Sequence, residues 1–519
     1  MQPNYSLTRR GADPELVGRE RELDQLITTK LNARIRLLTS QHSDVEMAAM
    51  DGEISRLVAE RQDVAGQIRT RSPAYAALVQ PSSLKFQEIQ HLLDSDTILL
   101  EYSLGDERSF LWMVTANSIT AYELPKRAII EPLAVQVHHL LSRTAEAGRG
   151  NSPKEPTDWS QIDVQYIRAA TKLGKMILGP AAPALGRKRL AIVSDGALHF
   201  ISFAALILPS GSSPNVHPST KSLDAINYGE PLMISHEIVN LPSASVLEEL
   251  RKEEHDRVSP QKEVAVLADA VFDDQDDRIV NRQMGRYKGR AIPGAKALVR
   301  ATRSQMKDGR LKRSLNDLGL GENGTYRLPR LFSTRKEATA IAKFVPRGKA
   351  LLALDFDASR FTATSAELAQ YRIVHFATHG LLNNEHPDLS GLVFSMVDRD
   401  GRPQNGFLQL EDIYNMSLPV DLVVLSACQT GVGRELAGEG IVGLTRGFMY
   451  AGAPRVIASL WNVDDEATAE LMTRFYRDLE VEKLKPAAAL RAAQEQMWRS
   501  AQWHSPYYWA SFQMQGEWN

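Results

Sequence analysis

From about residue 96 the apolar positions fall into short β-prone runs. Residues 97–104, 109–115 and 118–122 are separated by the turn Gly-Asp-Glu-Arg and by Asn117, which predicts an antiparallel meander. Before it, from about 14 to 71, Leu23, Leu26, Ile27, Leu31, Ile35 and Leu38, then Ile54, Leu57, Val64 and Ile68, recur at three-, four- and seven-residue steps. The intervening positions are charged, and Ser72-Pro73 ends the stretch, because a residue preceding proline is driven out of the α region. A helical hairpin, or the end of a helical repeat array, is expected over 1–72.

After the meander the period alternates. Helices are expected at 131–141 and 160–178, a strand at 189–193, a helix opened by 241–247, and a strand at 264–267. Later come helix 334–345, strand 350–354, helix 364–369, strand 371–376, strand 421–425, helix 440–451, strand 455–461 and helix 465–479. Apolar strands alternating with amphipathic helices imply an α/β fold, a mostly parallel sheet flanked by helices, and sites in such sheets lie at the carboxyl ends of the strands. Between the two α/β stretches, 273–324 opens with Asp-Asp-Gln-Asp-Asp. Residues 278–313 then carry twelve Lys or Arg against one acid, Asp308. This predicts an exposed basic linker. Gly319, Gly321 and Gly324 match a phosphate-loop spacing, but neither a preceding strand nor a following helix supports it.

Composition narrows the classes. With 61 basic and 63 acidic residues in 519, the chain as a whole has no attraction for nucleic acid or anionic lipid. No apolar run approaches a membrane span and the first residues lack a signal-peptide core, so the expected location is the cytoplasm, with no membrane partner. A single cysteine, Cys428, excludes an intrachain disulfide, a redox pair and a multi-cysteine zinc site. It is either a small buried apolar side chain or a nucleophile.

Its surroundings favour chemistry. One strand runs into Ala377-Thr-His379-Gly380 and another into Ser426-Ala-Cys428-Gln-Thr-Gly431. If these strands are parallel neighbours, His379 and Cys428 emerge together, and an imidazole can generate the thiolate. Gly380 would let a backbone N–H approach a substrate carbonyl and, with the Cys428 N–H, form an oxyanion hole. The two residues are 49 apart; caspases place their histidine about 50 before the cysteine. His375, mid-strand in the same stretch, is expected to be a core histidine. Zinc-protease, Ser-hydrolase and nucleotide-loop motifs are absent, and no cofactor or metal is expected.

The stretches at 375–380, 425–431, 438–440, 447–468 and 507–516, with 189–206 and 241–247 earlier, resemble the CHAT peptidase family of the caspase–separase clan. The resemblance implies a non-catalytic caspase-like half over 73–272, the linker 273–324, and a catalytic caspase-like half over 325–519. It implies a cysteine endopeptidase with His379 as general base, Cys428 as nucleophile and Gly380 at the oxyanion. A protein substrate in a bacterial regulatory or defence pathway would follow, with a regulatory protein possible on the N-terminal helices of a family often joined to tetratricopeptide repeats. The alternative is a catalytically silent scaffold of the same fold.

Substrate contacts follow less directly. In related clan members the residue two before the nucleophile often meets the substrate side chain before the scissile bond; here it is Ser426. Trp461, Asp464 and Asp465 are expected to form the other wall. Asp465 suits the N-cap of the following helix, which would leave Asp464 to pair with a basic substrate residue. Alternatively, both aspartates only cap the helix.

Overall fold

In the computed structural model, the described residues are scattered helical positions between 15 and 67, then 84–142, 159–208, 229–255, 257, 260–273, 275–279, 321–322, 325–326, 328–382, 390–426, 428–429, 439–461 and 464–519. The chain divides into two compact units, Met1–Leu84 and Lys85–Asn519. In the first, Leu23, Leu57 and Val64 are buried, and Arg19 pairs with both Glu22 and Glu60, which ties two helical stretches together.

The second unit opens with β1 (Thr97–Ser103), β2 (Ser109–Val114) and β3 (Ile119–Leu124), an antiparallel meander as expected from its turns. Helices α1 (Arg127–Ser142) and α2 (Trp159–Ile177) lead to β4 (Arg189–Val193), β5 (Ile238–Asn240), α3 (Ala244–His255) and β6 (Lys262–Ala270). A two-residue hairpin, β7 (Gly321–Glu322) and β8 (Thr325–Tyr326), precedes α4 (Phe332–Lys343) and β9 (Ala350–Asp355). Then follow β10 (Tyr371–Ala377), β11 (His379–Leu381), β12 (Gly391–Val393), β13 (Phe407–Gln409), β14 (Leu422–Leu425) and β15 (Cys428–Gln429). Last come α5 (Glu439–Ala451), β16 (Arg455–Ser459), α6 (Asp465–Glu480), α7 (Pro486–Trp498) and β17 (Phe512–Gly516).

Eleven strands form one sheet in the order β3-β2-β1-β4-β5-β17-β16-β14-β10-β6-β9. Only β1–β2, β2–β3 and β16–β17 are antiparallel within it, so the sheet is mostly parallel. β14 and β16 are buried at every position, which is why they read as continuous apolar runs rather than alternating ones. The two halves implied by the resemblance share this sheet. The carboxyl-terminal strand β17 lies between them, antiparallel to β16 and parallel to β5. Buried Glu517 then takes both ends of the Arg251 guanidinium, and Arg455 pairs with Glu254 at 2.8 Å. Periodicity left β5, the short strands of a second sheet and α7 unassigned. Most of the basic segment 273–324 lies outside the described residues; at its head, Arg278 and Ile279 are packed against the sheet end.

Candidate active site beyond the ends of two adjacent strands

β10 and β14 run parallel, pairing Ile373 with Leu422 through Phe376 with Leu425. Each leaves the large sheet and resumes in a small one, ordered β13-β12-β11-β15. There β11 and β15 are again parallel, with His379 opposite Cys428 and Gly380 opposite Gln429. The offset between partners is 49 residues on both sides of the break, so neither connection contains an inserted residue. Parallel neighbours lie about 4.8 Å apart, which brings the His379 and Cys428 backbones side by side. The small sheet is closely packed. A Cβ on Gly391, opposite Leu381, would stand 2.3 Å from the Leu408 carbonyl oxygen, so glycine is required there. Thr378, in the break, anchors it further by donating its hydroxyl to the Val393 carbonyl.

His379 is 2% exposed, with its ring 4.7 Å from that of Phe272 at 57°. Its Nε2 lies 2.7 Å from the Pro329 carbonyl oxygen. A carbonyl only accepts, so Nε2 carries the hydrogen and, in the neutral ring, Nδ1 is the proton acceptor. Pro329 belongs to the short connection entering α4, so this contact joins β11 to a segment 50 residues earlier.

The other expected residues divide. Ser426 is 4% exposed, and its hydroxyl has no hydrogen-bond partner among the described residues. Trp461 is not an open wall: it is 2% exposed, its Nε1 donates to the Tyr507 carbonyl at 3.2 Å, and its ring meets that of His138 edge-on at 6.0 Å. The helix cap falls on Asp464, not on Asp465 as expected. Asp464 is the N-cap of α6, its Oδ1 accepting from the N–H groups of Glu466 and Ala467 at 3.0 and 2.9 Å. Asp465 instead accepts from the Ser333 N–H at 2.7 Å, across to the start of α4. Burial raises its pKa, helped by the charges of Glu337 and Asp464 and opposed by the Ser333 bond. The reason is direction: only the residue before the first helical turn can fold its side chain back onto the following N–H groups. The glycine-rich stretch 430–438 lies outside the described residues.

His375 lies in the core, fully buried. Its Nδ1 lies 3.1 Å from the Tyr476 hydroxyl, and Glu337 Oε1 lies 2.9 Å from Nε2, close but off the line of a directed hydrogen bond. Burial, with the charges of Glu337 and Glu480, pushes the Tyr476 phenol far above its ordinary range, so it remains a donor. The sequence held a signal for Glu337. It shares a helical face with the buried Thr334, Ala338 and Ile341, an acid inside an apolar stripe. Asp269 and Arg330, close to His379 through Pro329, carry no such signal. Among the described residues no group of three His, Cys, Asp or Glu is placed to hold a metal ion, and no helix is long and apolar enough to cross a membrane.

A mostly parallel α/β sheet with a histidine and a cysteine in register just beyond the ends of two adjacent interior strands defines the class. The model of the CHAT domain matches residues 168–517, more than half of the chain, and the protein belongs to the CHAT family. Tetratricopeptide repeat protein 28 of Homo sapiens is 35% identical over 113 residues, 22% of this chain and 4% of the relative; the Mus musculus protein is 38% identical over 109 residues. The match therefore spans a small fraction of these relatives' length. Among solved structures, the Saccharomyces cerevisiae separase–securin complex shares 8% identity with a TM-score of 0.44, covering 96% of this chain and 40% of that one. The complex of Porphyromonas gingivalis RgpB pro- and mature domains shares 10% at a TM-score of 0.33, covering 76% and 77%.

Proposed function

We propose that this CHAT protein is a cysteine endopeptidase that hydrolyses peptide bonds in a protein substrate through Cys428 and His379, within a bacterial regulatory or defence pathway. The observation that carries the reading is the parallel register of His379 with Cys428. Nδ1 of His379 takes the thiol proton, and the sulfur adds to the scissile carbonyl. The N–H groups of Gly380 and Cys428 serve the oxyanion. The imidazolium returns its proton to the leaving amine, and water, deprotonated by the same ring, releases the acyl group. Each residue is thereby restored. Buried Ser426 is the nearest specificity element, two residues before the nucleophile; a regulatory protein on the N-terminal helices and a cytoplasmic setting complete the proposal. The test is incubation with a peptide library, with cleavage positions read by mass spectrometry. Cleavage by the unmodified protein and none by Cys428→Ala is expected; turnover retained by Cys428→Ala would sink the mechanism.

A further inference from the structure

The carboxyl end of β6 carries an irregularity. Ala268 pairs with Leu354 and Ala270 with Asp355, so Asp269 is an extra residue, at φ +51°. Such a bulge re-aims a side chain, and a left-handed non-glycine residue persists only where its surroundings hold it. The Asp269 carboxylate is fully buried and meets three guanidinium groups. Arg330 grips it with two parallel bonds, Nε to Oδ1 at 2.7 Å and a terminal nitrogen to Oδ2 at 2.8 Å. Arg335 donates from Nε to Oδ2 at 2.6 Å, and Arg278 lies 3.2 Å from Oδ1 while bonding the Asp269 carbonyl at 2.6 Å. Arg278 and Arg335 also share Asp355. The Asp269 N–H donates to the Thr334 hydroxyl at 3.1 Å, which donates onward to the Leu331 carbonyl at 2.7 Å.

The bonds to residues 330–335 fall on the connection that carries Pro329, the carbonyl partner of His379, and on the first turn of α4 that directly follows it. Asp465 holds the same first turn of α4 through the Ser333 N–H. A fork of two charge-assisted bonds fixes orientation as well as position. We propose that Asp269 and Arg330 are positioning residues for His379: the Asp269–Arg330 clasp sets the Pro329 carbonyl, which keeps the hydrogen on Nε2 and leaves Nδ1 to accept the thiol proton. The proposal rests on the cysteine-peptidase reading above. It also couples the site to the basic segment, because Arg278 and Arg330, on either side of 280–327, hold the same carboxylate.

The chain has one cysteine, so alkylation reports Cys428 alone. The pH–rate profile with iodoacetamide is measured for the unmodified protein, His379→Ala, Arg330→Ala, Arg330→Lys and Asp269→Asn, with folding checked by near-ultraviolet circular dichroism. The unmodified protein should react faster at pH 7 than an ordinary thiol, whose pKa is about 8.5. Arg330→Ala should lose most of that advantage, its acid limb moving toward the His379→Ala profile. Arg330→Lys should fall between, since an ammonium keeps the charge but not the fork. If Asp269→Asn does not fold, Arg330→Ala decides. Profiles of Arg330→Ala and folded Asp269→Asn that coincide with the unmodified protein, while His379→Ala differs, would overturn the clasp and leave the dyad standing. An unmodified profile identical to that of His379→Ala would overturn the dyad, and the clasp with it.

Discussion

The strands on either side of β17 end differently. In the first half β4 runs into Ser194-Asp195-Gly196, and the chain closes over the strand end. Asp195 Oδ2 accepts the Leu104 N–H at 2.7 Å, and His199 Nδ1 lies 3.0 Å from the Gly196 carbonyl oxygen. Both polar side chains named there are engaged with backbone, one at the end of β1 and one within the loop itself. In the second half β10 and β14 resume as β11 and β15 without losing step, and His379 and Cys428 fall opposite each other in the ladder. The same parallel layer thus has its polar groups tied to backbone at the end of β4, and a histidine and a cysteine in register where β10 and β14 extend together.

Each half also buries a histidine against a carbonyl and an aromatic ring, and these two sharpen the contrast. His138 Nδ1 lies 3.2 Å from the Phe200 carbonyl oxygen, with the Trp461 ring edge-on; His379 Nε2 lies 2.7 Å from that of Pro329, with Phe272 against its ring. Only His379 has a cysteine in register. Replacing it with alanine should therefore slow peptide cleavage by about 10²- to 10⁴-fold, the usual worth of a positioned general base. His138→Ala should leave the rate per folded molecule unchanged. Equal losses in steady-state assays of the two purified variants would erase the distinction.

Stability should differ between the halves as well. Arg127 and Asp195, in the first, form a 3.8 Å pair with side chains about two-fifths exposed, and such pairs contribute roughly 0–1 kcal/mol. Glu337 and His375, in the second, are both buried, and removing one partner leaves the other uncompensated. Glu337→Ala should cost about 1–3 kcal/mol in urea denaturation, because it leaves the buried His375 Nε2 without its neighbour 2.9 Å away. A loss no larger than that of Arg127→Ala would mean that the buried pair stabilises nothing.

Acid should act on His138. Burial lowers its pKa from 6.5 to about 4, with the His139 charge in the same direction and the Phe200 bond opposing. Between those values the unfolded chain binds a proton that the folded one excludes, so stability is full above pH 6.5 and falls as the pH drops toward 4. At about 1.4 kcal/mol per unit the loss is on the order of 3 kcal/mol. His236, also lowered chiefly by burial, adds to it with the same sign. Asp355 and Asp276 contribute at lower pH: burial raises their pKa values, but arginine hydrogen bonds outweigh it and hold them below 3.8. Subtracting the curve of His138→Gln from that of the unmodified protein isolates the histidine. A flat difference between pH 7.5 and 4.5 would refute the assignment.

How much of this was visible in the sequence follows from the range of each interaction. The meander, the parallel layer and the strands leading to His379 and Cys428 were legible because period and turn chemistry are local. The CHAT family was legible in motifs such as 375–380 and 425–431, and the family match over 168–517 bears it out. The place of β17 between the halves was not, since parallel pairing of Gln515 with Asn240 joins residues 275 apart and leaves no local mark. Asp269 was hidden for the same reason. Its acid sits in Leu-Ala-Asp-Ala, an ordinary strand end until three distant arginines meet it.

Asp464 and Asp465 show that limit at the scale of one residue. Adjacent carboxylates at a helix start are nearly interchangeable in a sequence, because both precede Glu466-Ala-Thr-Ala. The backbone separates them: Asp464 has φ −55° and ψ 132°, outside the helix, and its side chain reaches the N–H groups two and three residues on. Asp465 is already the first helical residue, and its carboxylate is turned to Ser333. Asp464→Ala should accordingly cost about 1 kcal/mol, the worth of a lost N-cap, with Asp464→Asn nearly neutral because an amide oxygen caps as well. Neither change should alter which substrate side chain is preferred before the scissile bond, since the Asp464 Oδ1 is committed to two backbone N–H groups of its own helix. Cleavage profiles of the two variants on the peptide library, read beside their urea midpoints, check both parts. A selective loss of cleavage after arginine or lysine in Asp464→Ala, with its stability unchanged, would return that aspartate to the substrate pocket.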